Sequence, residues 1–164
     1  MSATNDSSLW QFSLALYDVQ AVRESCLSLQ ETADADVNLL LTLLFAASQG
    51  IELDAARVKQ LIDRTDGWRR RVIAPLRSAR RAIKEMDGGS DGMYGTIRNV
   101  ELEAEKVAQQ LLEHELGAIA GSANRSDPSI AAMVNLAAYA TQVAMPEKEL
   151  TALLTAFEAT AAGG

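Results

Sequence analysis

The chain reads as all-α, a single compact bundle of six to eight helices joined by short loops. Three observations point there. Hydrophobic residues make up 48% of the chain but aromatics only 5%, so Leu, Ala, Val and Ile must build the core, and the Ala- and Leu-rich segments favour helix by propensity. β-branched runs bounded by turn residues, the usual mark of strands, are missing. Apolar residues recur at helical spacing between polar or glycine-rich breaks. A length of 164 residues suits one domain, since such a chain buries roughly two thirds of its unfolded surface. Residues 1–164 are therefore read as a single helical domain, with 1–6 and 160–164 expected to be disordered.

The first helix is expected from Ser7 or Ser8 to Tyr17, where Leu9, Phe12 and Leu16 share a face. The second covers 19–32, with Val22, Cys26 and Leu29 aligned. Asp34 or Asp36 can cap the third by accepting free N–H groups at its start. That helix, 37–47, is apolar almost all round, so it belongs at the centre of the bundle, and Gly50 suits its end. Asp54 caps a fourth helix as far as Arg64, where Thr65, Asp66 and Gly67 are expected to interrupt it. A longer helix then spans 68–86, kinked at Pro75, whose ring and missing N–H disrupt the turn before it. Glycines make 87–95 a flexible loop, and a long helix follows over 96–119. Asp127 and Pro128 open the next, with proline at its first position. Pro146, Glu147 and Glu149 open the last, where acids suit the positive helix end.

Charge is unevenly spread. Residues 57–84 carry ten of the 15 Lys and Arg and only Asp63 and Asp66 as acids, a local charge of +8 in a chain of net charge −7. On a wheel over 68–86, Trp68, Val72, Pro75, Leu76, Ala79, Ala82, Ile83 and Met86 fall on one arc. Arg69, Arg70, Arg77, Arg80, Arg81 and Lys84 fall on the next. Arginine forks match phosphate and carboxylate geometry, so Arg69, Arg70, Arg77, Arg80 and Arg81 are the candidate anion or partner site. The competing reading pairs them with the chain's own acids. Glu101 and Glu105 stack one turn apart, and an antiparallel pairing across 87–95 would bring them to Arg77, Arg80 or Arg81.

Several short motifs occur in a familiar order: Leu9-Trp10-Gln11-Phe12-Ser13, Tyr17 with Val22, Cys26-Leu27-Ser28-Leu29-Gln30, and Asp36-Val37-Asn38-Leu39-Leu40-Leu41. Trp68-Arg69, Pro75-Leu76-Arg77 with Arg80-Arg81, and Glu101 to Glu105 complete the set. Together, over roughly residues 9–112, the chain resembles a bacterial family of small helical proteins known only as a domain of unknown function. The resemblance implies a cytoplasmic, bacterial, helical protein and supplies no catalytic residues.

Other candidates yield less chemistry. Glu101, Glu105, Glu113, His114 and Glu115 lack the paired Glu-x-x-His of bundle di-iron sites, so no metal is expected. The glycine-rich 87–95 lacks the ligand pattern of a calcium loop and the Lys-Ser/Thr of a phosphate loop. Asn38 sits in the most apolar helix and needs a hydrogen-bond partner, for which Gln30 is the candidate. Cys26, on an apolar face without a paired His, reads as a core residue. Trp10, Tyr17 and Trp68 read as core or junction anchors. One cysteine permits no internal disulfide, the start lacks a signal-peptide pattern, and no apolar stretch approaches the about 20 residues of a membrane span.

The leading expectation is a cytoplasmic protein-interaction or regulatory module, with a protein partner or homo-oligomer and no cofactor. An anion, nucleotide or RNA binder using 68–86 ranks second, since an overall pI of about 4.7 argues against general nucleic-acid binding. An enzyme ranks last, because one His, one Cys and no metal or phosphate motif leave little catalytic equipment.

Overall fold

The computed structural model describes residues 6–86 and 91–163. Eight α-helices form among them: α1 (Ser8–Tyr17), α2 (Gln20–Ala33), α3 (Val37–Ser48), α4 (Ala55–Trp68), α5 (Ala74–Glu85), α6 (Asp91–Ile119), α7 (Pro128–Ala140) and α8 (Glu147–Ala162). No helix among the described residues is long and apolar enough to cross a membrane.

Capping residues set the starts where side-chain chemistry dictates. Ser7, Asp36, Asp54 and Asp127 each accept a backbone N–H of the first turn. Of the two candidates for α3, Asp36 is the cap, while Asp34 closes α2 in a left-handed conformation. α3 is buried on nearly every face and packs on α7, α6 and α1. α2 packs on α8. After α3 the chain turns at Gly50, whose φ of +73° and 2.7 Å distance from a built Cβ to the Ser126 carbonyl oxygen exclude a side chain. Ser126 N–H donates to the Gly50 carbonyl (2.9 Å), tying this turn to the start of α7.

Three expectations are corrected. The helix begun at Asp54 is not broken at Thr65, Asp66 and Gly67. It continues to Trp68, because the Thr65 hydroxyl bonds back to the Leu61 carbonyl (3.2 Å) inside the helix. The irregularity comes later, as a π turn over Arg69–Ile73. There Ala74 N–H donates to the Arg69 carbonyl, five residues back. The wide turn precedes Pro75, which offers no N–H and would crowd the carbonyl of Arg71 in a regular helix. Pro75 therefore lies in the first turn of α5. The π turn also adds a residue to the repeat, so a uniform wheel over 68–86 loses register. Pro75, Ala79, Ala82 and Met86, assigned to the core arc, are exposed, and Ile73 is the buried residue.

The second correction is the start of α6, which takes in Gly92 to Gly95 as helix rather than loop, the Thr96 hydroxyl bonding to the Gly92 carbonyl (2.9 Å). Residues 87–90 lie outside the described ones. The third is the C-terminus. Residues 160–162, expected to be disordered, belong to α8, and Thr160 bonds back to Phe157. The expectation for 1–5 and 164 lies outside the described residues.

Two apolar clusters result. The larger joins α1, α2, α3, α4, α7, α8 and the C-terminal part of α6. The smaller, Ile73, Ala104 and Ala108 with Trp68, Val72 and Leu76, lies between α6 and the π turn. α4, the π turn and α5 all run along α6, and this seam carries the candidate site.

Candidate functional site

α5 buries none of its own residues, so apolar contact holds it weakly. Trp68 anchors the seam before it, its indole N–H donating to the Ala104 carbonyl (2.8 Å). Beyond the π turn, charge takes over. Arg77 Nε donates to Glu101 Oε1 (3.3 Å) and its Nη2 to Glu105 Oε1 (3.3 Å). Arg80 Nε closes on Glu101 Oε2, and its Nη2 reaches Oε1 (3.4 Å). Glu101 is only 6% exposed, so its charge depends on both guanidinium groups. Arg81, the third partner offered by the sequence, is exposed and pairs with neither glutamate.

The two glutamates differ electrostatically. Burial pushes the Glu105 carboxyl above its ordinary range, the nearby Glu101 charge adds to this, and Arg77 offsets only part. Arg80 is pushed up in turn, chiefly by its hydrogen bond to Glu101.

The other arginines divide between inward and outward roles. Arg69 Nη2 donates to both the backbone carbonyl and the carboxylate of Asp34 (2.7 Å each), fastening the end of α2. Arg70 pairs with Asp66 one turn back (2.9 Å), mostly in solvent. Arg81 and Lys84 are exposed. All five candidate arginines and Lys84 nevertheless line one groove of about 1210 Å³ between the end of α2 and α5. Among the described residues Glu31, Asp34 and Glu85 are its lining acids, and Asp66, Glu101 and Glu105 pair with Arg70, Arg77 and Arg80 from beside it, which leaves Arg81 and Lys84 as its cations without an ion pair among the described residues.

Arg77 and Arg80 also line a smaller cleft of about 250 Å³, bounded by α1, α2, α3, α5 and α6. Its walls include Trp10, Tyr17, Val37 and Leu41, and Arg77, Arg80, Glu101 and Glu105 close one end. Asn38 and Gln109 meet there, Gln109 Nε2 donating to Asn38 Oδ1 (3.1 Å). Gln109 is thus the partner that sequence reasoning assigned to Gln30. Gln30 lines both cavities but does not bond Asn38, because the antiparallel α6, not the end of α2, passes over the start of α3. The apolar repeat of α6 hid Gln109, which lies four residues beyond Glu105 on the same face.

The remaining candidates separate. Glu113 accepts from the Leu9 N–H (3.2 Å), Glu115 stands 3.9 Å from Arg64, and His114 is exposed. Among the described residues no group of three His, Cys, Asp or Glu side chains could hold a metal ion. Cys26 is buried, which pushes its thiol up to about 12. Such a thiol carries little thiolate at neutral pH. Asn135, unremarked in the sequence, is fully buried. It donates to the carbonyls of Leu43 (3.1 Å) and Ile51 (3.0 Å) and accepts from Leu53 N–H (2.6 Å), which makes it a structural pin between α3 and α7.

No curated protein and no solved structure matches the chain. A family model does match, over residues 8–112, well over half of the 164 residues. That span runs from the first turn of α1 into α6 and contains every residue lining the groove and the cleft. By this match the chain belongs to the family described as protein of unknown function DUF2390.

Proposed function

We propose that the protein is a binding module, an adaptor or small regulator, whose recognition surface is the groove between α2 and α5 and whose partner is an acidic segment of another protein. The observation that carries this reading is the convergence of Arg69, Arg70, Arg77, Arg80, Arg81 and Lys84 on one groove of a chain with net charge −7. Guanidinium groups gathered on one groove, two of the six cations without an ion pair among the described residues, give a short acidic ligand a place to dock while the acidic remainder of the surface repels it. Arg81 and Lys84 have no ion pair among the described residues, so a partner engages them without breaking an existing contact. The exposed Ala74 and Ala82 add small apolar contacts for a segment with some hydrophobic side chains.

An RNA or single-stranded DNA ligand ranks below this. Among the described residues no aromatic side chain lines the groove, so bases would find no stacking platform, and the acidic remainder opposes a long polyanion. A cytoplasmic setting is part of the proposal, consistent with a lone buried cysteine.

Fluorescence anisotropy with a labelled poly-glutamate peptide and a single-stranded oligonucleotide of equal charge tests the reading. The peptide is expected to bind, to weaken with added salt, and to lose about tenfold in affinity to the Arg81→Ala/Lys84→Ala variant. Tighter binding of the oligonucleotide, or equal peptide binding by the variant, would overturn it.

A further inference from the structure

The cleft that Arg77 and Arg80 line has a chemistry of its own. Among the described residues, two buried side-chain polar atoms lack any hydrogen-bond partner, Ser13 Oγ and Gln109 Oε1. Both residues line this one cleft, though they come from different helices. Ser13 is 3% exposed and Gln109 2%, so neither atom is served by bulk water. The Ser13 case is unusual within this molecule. Ser25, Thr42 and Thr65 all satisfy their hydroxyls on the carbonyl one turn back, the common solution in a helix, whereas Ser13 does not. Gln109 is bonded at one end only, through Nε2 to Asn38. Reversing both amides of that pair would still leave one polar end of Gln109 unserved.

Around these atoms the cleft is apolar. Three of the chain's exposed large hydrophobics, Leu14, Leu27 and Leu102, at 53%, 41% and 42% exposure, all line it. Scattered exposed leucines need no explanation, but three around one concavity mark a site for apolar contact. At its charged end Arg77 and Arg80 are matched by Glu101 and Glu105, which leaves little net charge for an ion to answer. Water could serve the two orphan atoms, yet it would leave the leucine rim and the Trp10 wall unmatched.

The geometry points to the cleft as a binding site for a small uncharged molecule with an apolar body and one amide-type group. The group's N–H answers the free end of Gln109 and its carbonyl accepts from the Ser13 hydroxyl. The apolar body covers the walls from Trp10 to Leu41. A cleft of about 250 Å³ suits one ring with a short substituent, below the roughly 300–1,000 Å³ of drug-sized pockets. This site is separate from the acidic-segment groove, sharing with it only Gln30, Arg77 and Arg80.

The test is an NMR titration of the nitrogen-15 labelled protein with three planar isosteres: benzamide, acetophenone and benzoate. Benzamide supplies the donor and acceptor, acetophenone lacks the donor, and benzoate carries charge. Benzamide is expected to give saturable shifts confined to the Trp10 indole and the Asn38 and Gln109 side-chain amides, with acetophenone and benzoate each about tenfold weaker. In Gln109→Leu the preference for benzamide over acetophenone disappears while both still bind. Ser13→Ala, a milder change in α1, is expected to reduce the same preference. Absence of localised shifts up to the solubility limit, equal affinity for all three compounds, a preference for benzoate, or unchanged selectivity in both variants would overturn the proposal. A high-resolution crystal structure in benzamide with only ordered water in the cleft would do so as well.

Discussion

Glu101 and Glu105 sit one turn apart on α6 and both meet arginines of α5, yet their surroundings set them opposite tasks. Glu101 is nearly inaccessible and held by two guanidinium groups. Glu101→Gln removes the charge that balances both and turns an N–H toward them. It is expected to cost about 2–3 kcal/mol, or roughly 5–10 °C in melting temperature. Glu105 behaves otherwise, because burial and the Glu101 charge raise its pKa in the folded state. The native protein then holds the proton longer than the unfolded chain does. Stability from this group is present in acid and lost as pH rises from the unfolded value through the raised one. Glu105→Gln is therefore expected to leave stability at neutral pH unchanged or higher and to flatten that decline, which thermal melts across pH will reveal. Asn135 is the third telling residue, with all three of its bonds made to backbone groups of the buried chain around α3. Asn135→Leu strands those groups and is expected to cost about 2–4 kcal/mol by denaturant titration.

The π turn is the element on which the seam depends. It advances the register by one residue between Trp68, anchored to Ala104, and the pair Arg77 and Arg80, anchored to Glu101. Deleting the exposed Arg71 removes the inserted residue, so α5 keeps its phase relative to α4 while Pro75 comes to crowd the carbonyl of Arg70 in a regular turn. Such a deletion is expected to destabilise the protein through that clash but to leave Arg77 and Arg80 on Glu101, so Glu101→Gln is expected to keep its full further cost. Loss of that further cost in the deletion would show that the wide turn itself sets the register that brings the charges together. Helix existence, most of the starts and the burial of α3 were legible in the sequence, because caps and apolar period are local properties. Three features were not. The wheel through 68–86 failed because one inserted residue breaks any uniform period. The start of α6 was hidden because glycines at 92 and 95 mimic a loop. The choice of Gln109 over Gln30 for Asn38 depends on which helix crosses α3, and no local pattern encodes that.

For the molecule as a whole, segregation of charge does two jobs with one helix. The inward arginines of α5 reinforce a helix that has no fully buried residue and only Leu76 against the smaller apolar cluster, while Arg81 and Lys84 stand exposed over the groove. One wall of the groove and one end of the cleft are therefore only as firm as the ion network on Glu101. α3 and α7 rest instead on the main apolar cluster and should not sense its loss. Hydrogen–deuterium exchange of the wild type and Glu101→Gln tests this division. Amides of residues 74–85 are expected to exchange much faster in the variant, with α3 and α7 unchanged. Unaltered protection in α5, or an equal rise across the bundle, would contradict the account.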